Sequence, residues 1–183
     1  YPKEEIRASV LSAFKRAETV YVERDGFTDL QITIRERAPH ALWCGEEYGE
    51  INSFCYLLDQ TGMVYAPADG SEGEMLRYFG PLSGEVVGAQ ALPAEEYGKL
   101  SDFVKLIANL NLAPGALLYG ESDISLFFDN GVEIKFARGE DLKKVSENLE
   151  AALTSEVFEE KSFDELEYLD LRFGNKAFYK FRE

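Results

Sequence analysis

The spacing of apolar positions changes period early in this chain. Ile6, Val10, Phe14 and Ala17, helped by Ala13, recur every three or four residues and predict one stripe of a helix over residues 2–17. Pro2 suits its first turn, and Glu4 and Glu5 sit where the helix dipole favours acids. The period then drops to two. Val20 and Val22 alternate with Tyr21 and Glu23, and Leu30, Ile32 and Ile34 alternate with Gln31, Thr33 and Arg35. Asp25-Gly26 supplies the turn between these two predicted strands. The first unit is therefore helix, strand, strand. Pro39 cannot donate to a ladder and marks its end.

Short strands follow at 41–44, 54–58 and 63–66, the last two joined by the turn Asp59-Gln60-Thr61-Gly62. Residues 67–93 are rich in Gly and Pro and read as loops around one strand near 76–79. Pro93-Ala94-Glu95-Glu96 opens a helix to about Asn109, with Tyr97, Leu100, Val104 and Ile107 on one face. Strands at 116–119, 124–128 and 132–137 come next, then a third helix over 141–153. The closing strands meet at Gly174-Asn175. A three-residue loop, 174–176, pairs 173 with 177, 171 with 179 and 169 with 181. That register places Leu169, Leu171, Phe173, Ala177, Tyr179 and Phe181 on one face. The other face then carries Tyr168, Asp170, Arg172, Phe178, Lys180 and Arg182.

Composition narrows the function. The chain has 183 residues, enough for one domain or two small ones, and its 45% apolar content suffices for a packed core. A formal net charge of −15 opposes phosphate binding, so no nucleic-acid partner is expected. No apolar run is long enough to span a bilayer, and Tyr1-Pro2 reads as an interior start. Against this acidity the C-terminus reverses sign: Arg172, Lys176, Lys180 and Arg182 fall within the last twelve residues.

Candidate chemistry is sparse. No phosphate loop, nucleophile elbow or zinc-protease motif occurs, and His40 is the single histidine. No catalytic residue, metal ligand or cofactor is assigned. Glu46-Glu47 and Glu95-Glu96 are carboxylate pairs of no specific spacing, and the acidic loop Asp69, Glu72, Glu74 lacks the pattern of a calcium loop. Cys44 and Cys55, eleven positions apart on neighbouring strands, read equally as a bridge or as two buried thiols.

Three stretches carry a family resemblance. LQITIRERAPHALW, residues 30–43, resembles the end of a POTRA domain in the FtsQ/DivIB cell-division family, with Glu36, Arg37, Pro39 and Ala41 at the junction. CYLLDQTGMVYAP, residues 55–67, resembles the hairpin that follows it. LEYLDLRFGNKAFYKF, residues 166–181, resembles the family's closing strands, with Asp170, Leu171, Arg172 and Phe173 matching. The resemblance implies an α+β fold: a truncated POTRA-like unit at 1–39, then a mainly antiparallel β domain with two helices at 40–183. A full POTRA begins strand, helix, helix, so the resemblance implies either that a first strand and helix were cut away with the membrane anchor or that the unit is minimal. It also implies a single-pass membrane protein whose anchor lies upstream, this chain being on the extracytoplasmic face. There it acts as a non-enzymatic divisome scaffold that recruits FtsB- and FtsL-type partners and so influences septal peptidoglycan synthesis. The implied partner site is the last hairpin: Arg172, Phe173, Lys176, Ala177, Phe178, Tyr179, Lys180 and Phe181. An exported location favours the Cys44–Cys55 bridge. Two rival readings are a POTRA module of outer-membrane protein assembly or secretion, and a cell-wall hydrolase.

Overall fold

A computed structural model describes residues 1–49 and 54–183, apart from the Glu159 side chain. The first helix, α1 (Lys3–Ala13), stops a turn short of the apolar stripe. Phe14 turns extended and stands exposed, while Ala17 becomes the first, buried residue of β1 (Ala17–Asp25). β1 pairs antiparallel with β2 (Asp29–Glu36), placing Val20 opposite Ile34 and Val22 opposite Ile32. Ile6, Val10 and Leu11 pack on Ala17, Val20 and Val22. The helix reaches no farther than β1. Leu30, Ile32 and Ile34 share the apolar face but are 41–47% exposed, because nothing described lies over β2.

The second sheet has nine strands in the order β11-β10-β9-β8-β7-β6-β3-β4-β5. In chain order these are β3 (Ala41–Trp43), β4 (Tyr56–Leu58), β5 (Val64–Pro67), β6 (Arg77–Phe79), β7 (Ala116–Tyr119), β8 (Asp123–Phe127), β9 (Glu133–Ala137), β10 (Leu166–Phe173) and β11 (Lys176–Phe181). Five of its neighbour pairs are antiparallel; β3–β6, β6–β7 and β9–β10 are parallel. The chain is thus α+β with mostly antiparallel strands.

Alternation along each strand decides what lies under the helices. Tyr78, Leu117, Leu126, Ile134, Phe136 and Leu169 point to the core side, where α2 (Ala94–Ala108) and α3 (Leu142–Leu153) cover them. From α2 come Tyr97, Leu100, Phe103 and Ile107; Val104, expected on that face, is only half-buried. Val145 and Leu149 of α3 complete the layer. Asp141 caps α3, its side chain accepting from the Lys143 N–H at 3.0 Å. A short helix, α4 (Val157–Glu160), and a 3-10 turn at Phe163–Glu165 follow, so the sheet carries one helix more than expected. A smaller apolar cluster, including Leu42, Leu57, Phe79 and Ala116, occupies the opposite face at the β3–β7 end.

Cys44 and Cys55 are joined, Sγ to Sγ at 2.03 Å. They stand one step beyond the Trp43–Tyr56 pair that ends the β3–β4 ladder. Residues 50–53 of the loop they close lie outside the described residues. Tyr48 within that loop stacks on Phe127 at 3.8 Å and meets Phe79 edge-on. Closing so short a loop constrains the unfolded chain by about 2–3 kcal/mol. Reduction is therefore expected to lower the melting temperature, and the double Cys44→Ala, Cys55→Ala variant should melt like the reduced protein. Equal melting curves with and without reductant would show that the β3–β4 end needs no covalent tie.

Candidate docking edge

A sheet of nine strands has two edges, and the structure treats them differently. At β5 the edge is covered. The Val64 N–H donates to the Ala89 carbonyl at 2.9 Å, the Gly88 N–H donates to the Val64 carbonyl at 2.7 Å, and Pro67 has no N–H to offer. At β11 only β10 is paired among the described residues. The Arg182 N–H donates back to the Glu165 carbonyl at 2.8 Å. Strand alternation then turns the backbone groups of Ala177, Tyr179 and Phe181 outward, away from β10.

The hairpin that builds this edge differs from the expected register. Phe173 pairs with Lys176 across a two-residue loop, Gly174-Asn175, with Gly174 at φ +67°. A bulge between Asp170 and Phe173 then restores odd opposite odd, giving Asp170–Phe178, Leu169–Tyr179 and Tyr168–Lys180. A second irregularity between Leu166 and Tyr168 shifts the far end to Leu166–Phe181. The extra residue needed to match the apolar faces thus lies in β10 and not in the loop. Phe173 therefore does not share the apolar face on which its alternation places it. The bulge turns Phe173 onto the outer face, 55% exposed, where its ring meets the half-exposed Phe178 edge-on at 5.1 Å.

On the helix side, Ala177 and Phe181 are half-buried against the core. Tyr179 is on that side too, yet 42% exposed, leaning on Phe158 and Phe181 at 6.2 and 5.5 Å between ring centres. Lys161 stands 4.6 Å over the Phe181 ring.

The sequence places Arg172, Lys176 and Lys180 at the partner site, but two of these basic residues are already paired within the chain. Arg172 grips Asp170 through Nε at 2.9 Å and Nη2 at 2.6 Å, and reaches Asp123 through Nη1 at 2.8 Å. The Arg172 side-chain hydrogen bonds hold the Asp170 carboxyl below its ordinary range, against the effect of burial. Lys180 pairs with Glu167 at 2.5 Å, a contact that raises its ammonium pKa. Both charges are therefore engaged within the chain. Lys176 and Arg182 make no ion pair among the described residues and remain available. Asn148 of α3, which no motif flagged, donates to the Gly174 carbonyl at 2.8 Å and pins the hairpin tip to the helix.

The other two motif stretches meet each other well away from this edge. Arg37 of the junction bonds the buried Asp59 carboxylate at the β4–β5 turn. Asp59 also accepts from the Thr61 N–H at 2.8 Å, the Thr61 hydroxyl at 2.7 Å and the Met63 N–H at 3.1 Å. Burial opposes its ionisation, but these bonds and the Arg37 charge outweigh it and hold the carboxyl below its usual range. His40 Nδ1 lies 2.7 Å from the Tyr97 hydroxyl, so the histidine serves this junction.

Four of the remaining candidate carboxylates, Asp69, Glu72, Glu95 and Glu96, are likewise engaged locally. The Glu72 carboxylate accepts the N–H groups of Asp69 and Gly70 at 2.8 and 2.9 Å, and Asp69 accepts from Ser71. Glu95 pairs with Lys99 at 2.6 Å, whereas Glu96 takes the Tyr119 hydroxyl. Among the described residues no helix is long and apolar enough to cross a membrane. No protein-family model matches the chain, and no curated protein matches it either.

Proposed function

We propose that this chain is a non-enzymatic docking module whose C-terminal strand accepts a partner strand, and that it serves as the extracytoplasmic part of a divisome scaffold of the FtsQ/DivIB type. The observation that carries the docking reading is the contrast between the two edges of the nine-stranded sheet: one tied down by a loop and a proline, the other open among the described residues. A strand laid along Ala177–Phe181 gains backbone hydrogen bonds, each net roughly 0.5–1.5 kcal/mol. Phe173 and Phe178 add an exposed aromatic pair beside it, the side-chain type that dominates interface energies.

The divisome assignment rests on the resemblance in residues 30–43, 55–67 and 166–181. Two features of the structure support it. The stretches join through Arg37 and Asp59, and the third forms the open edge. The partner is an FtsB- or FtsL-type protein with an acidic extended segment, and the protein reaches the membrane through an upstream helix.

Binding to the extracytoplasmic segment of an FtsB-type protein tests the reading. Phe178→Ala is expected to weaken it by about 1–2 kcal/mol, roughly 5- to 30-fold, with the circular dichroism spectrum unchanged. No binding by the parent chain would remove the divisome assignment. Binding that ignores Phe178→Ala and a chain stopped at Gly174 would remove the docking edge.

A further inference from the structure

We infer that the groove between α3 and β11 is a specificity pocket for one large apolar side chain of the partner strand, so that the partner carries an aromatic or long aliphatic residue flanked by a carboxylate. This inference rests on the docking edge proposed above and adds what that edge selects.

The groove has a volume of about 280 Å³. That falls below the roughly 300–1,000 Å³ of pockets that hold whole small molecules, and suits a single side chain. Its α3 wall is made of Asn148 and the small residues Ala151 and Ala152, with Ser155 just beyond the end of the helix. Ala177 forms its β11 side, while Phe158 and Tyr179 supply aromatic walls. The Ser155 hydroxyl donates to the Ala152 carbonyl at 2.7 Å, so it makes little polar demand on an occupant. A pocket with alanines on two sides and aromatic rings on a third gains most from apolar surface.

Strand geometry aims a partner residue into it. The outward backbone groups belong to Ala177 and Tyr179, whose side chains lie on the helix side. In an added strand, the residues directly opposite them point to the same side. The residue facing Ala177 therefore enters the groove, and the small methyl of Ala177 leaves room for it. Its neighbours along the partner strand point to the outer face, toward Phe178. Charge complementarity names the rest of the occupant. Lys176 lines the groove and has no ion pair among the described residues, and Lys161 stands over the neighbouring Phe181 ring, on a chain of net charge −15. An acidic segment is attracted to this edge and repelled by most other surfaces.

The test selects phage-displayed random octapeptides against the full chain. The expected result is enrichment of extended peptides that carry one large apolar residue next to an acid and compete with one another. Ala151→Trp, at an exposed position of α3, fills the groove without touching the core. It should weaken a selected peptide at least tenfold. Replacing the peptide's apolar residue by alanine should weaken binding to the parent chain equally, and have little further effect on the Ala151→Trp chain. Lys176→Glu should weaken the same peptide more at low salt than at high salt. The pocket is overturned, with the docking edge intact, if peptides bind in a Phe178-dependent way but show no apolar preference and ignore Ala151→Trp. Failure to enrich any peptide that needs β11 overturns edge and pocket together.

Discussion

Asp59→Ala is expected to lower the unfolding free energy by about 3–5 kcal/mol, the usual cost of breaking a buried ion pair from one side. Asp59 is only 3% exposed and accepts hydrogen bonds from two N–H groups, one hydroxyl and the Arg37 guanidinium. Alanine leaves all of these donors without their acceptor. The loss reaches beyond the turn, since Arg37 leads directly out of β2 and its Nε also donates to the Lys15 carbonyl at 3.1 Å. Asp59 thus ties the two-stranded unit to the nine-stranded sheet.

The same group sets an acid response. The folded carboxyl lies below its ordinary range, while the unfolded chain protonates near about pH 3.9. The unfolded state therefore binds the proton first, and stability rises with pH across that interval. The contribution is fully present above the unfolded value and is lost as pH falls through the folded one. Asp170 behaves in the same sense through Arg172. Urea melts between pH 2 and 6 should show the stability of the parent chain falling below about pH 4. Asp59→Asn, which cannot titrate, should start less stable and lose less. An equal pH slope in parent and Asp59→Asn would show that Asp59 carries none of the acid sensitivity.

Periodicity makes the strands of this fold legible, because each strand of the large sheet has one face under α2 and α3. It does not make coverage legible. Leu30, Ile32 and Ile34 alternate as cleanly as Val20 and Val22, yet they stay exposed, since how far α1 reaches is a tertiary matter. The hairpin is instructive in another way. The requirement that apolar residues face apolar residues is correct, but a bulge in β10 meets it as well as a longer loop, and the two place Phe173 on opposite faces. Parity counts residues and cannot say which strand holds the odd one.

The candidate site divides along the same line. That the last strand is rich in aromatic and basic residues is plain in the sequence. That it is the uncovered edge of the nine-stranded sheet, among the described residues, depends on the strand order and on the loop that ties down β5. Arg172 and Lys180 look equally available in sequence, and only the fold brings Asp123 and Glu167 to them. The groove beneath the edge combines residues from α3, the start of α4 and β11, separated by some twenty to thirty positions, and no local pattern announces it.

Gly62→Ala is expected to destabilise the chain by about 2–5 kcal/mol while leaving docking at β11 unchanged in the folded fraction. Two costs combine. Gly62 has φ +78°, a conformation that charges an L side chain roughly 1–2 kcal/mol. A Cβ there would stand 2.7 Å from Cγ and Cδ2 of Tyr97, and overpacking of this kind typically costs about 1–3 kcal/mol. Tyr97 cannot step aside readily: it is fully buried, its ring packs on Tyr78 at 5.1 Å, and its hydroxyl meets His40. The glycine is thus required by the close approach of α2 to the β4–β5 turn, the same turn that Asp59 organises. This turn and β11 lie at opposite ends of the strand order. Effects at such separated places should add. Thermal melts of Gly62→Ala alone and combined with Phe178→Ala test this, together with peptide binding well below the melting temperature. The expected pattern is a large stability loss with normal binding for the first variant, and the same loss with weakened binding for the second. If Gly62→Ala alone abolished binding to a still-folded chain, the turn and the edge would be coupled, and the partner would have to reach the junction as well as the last strand.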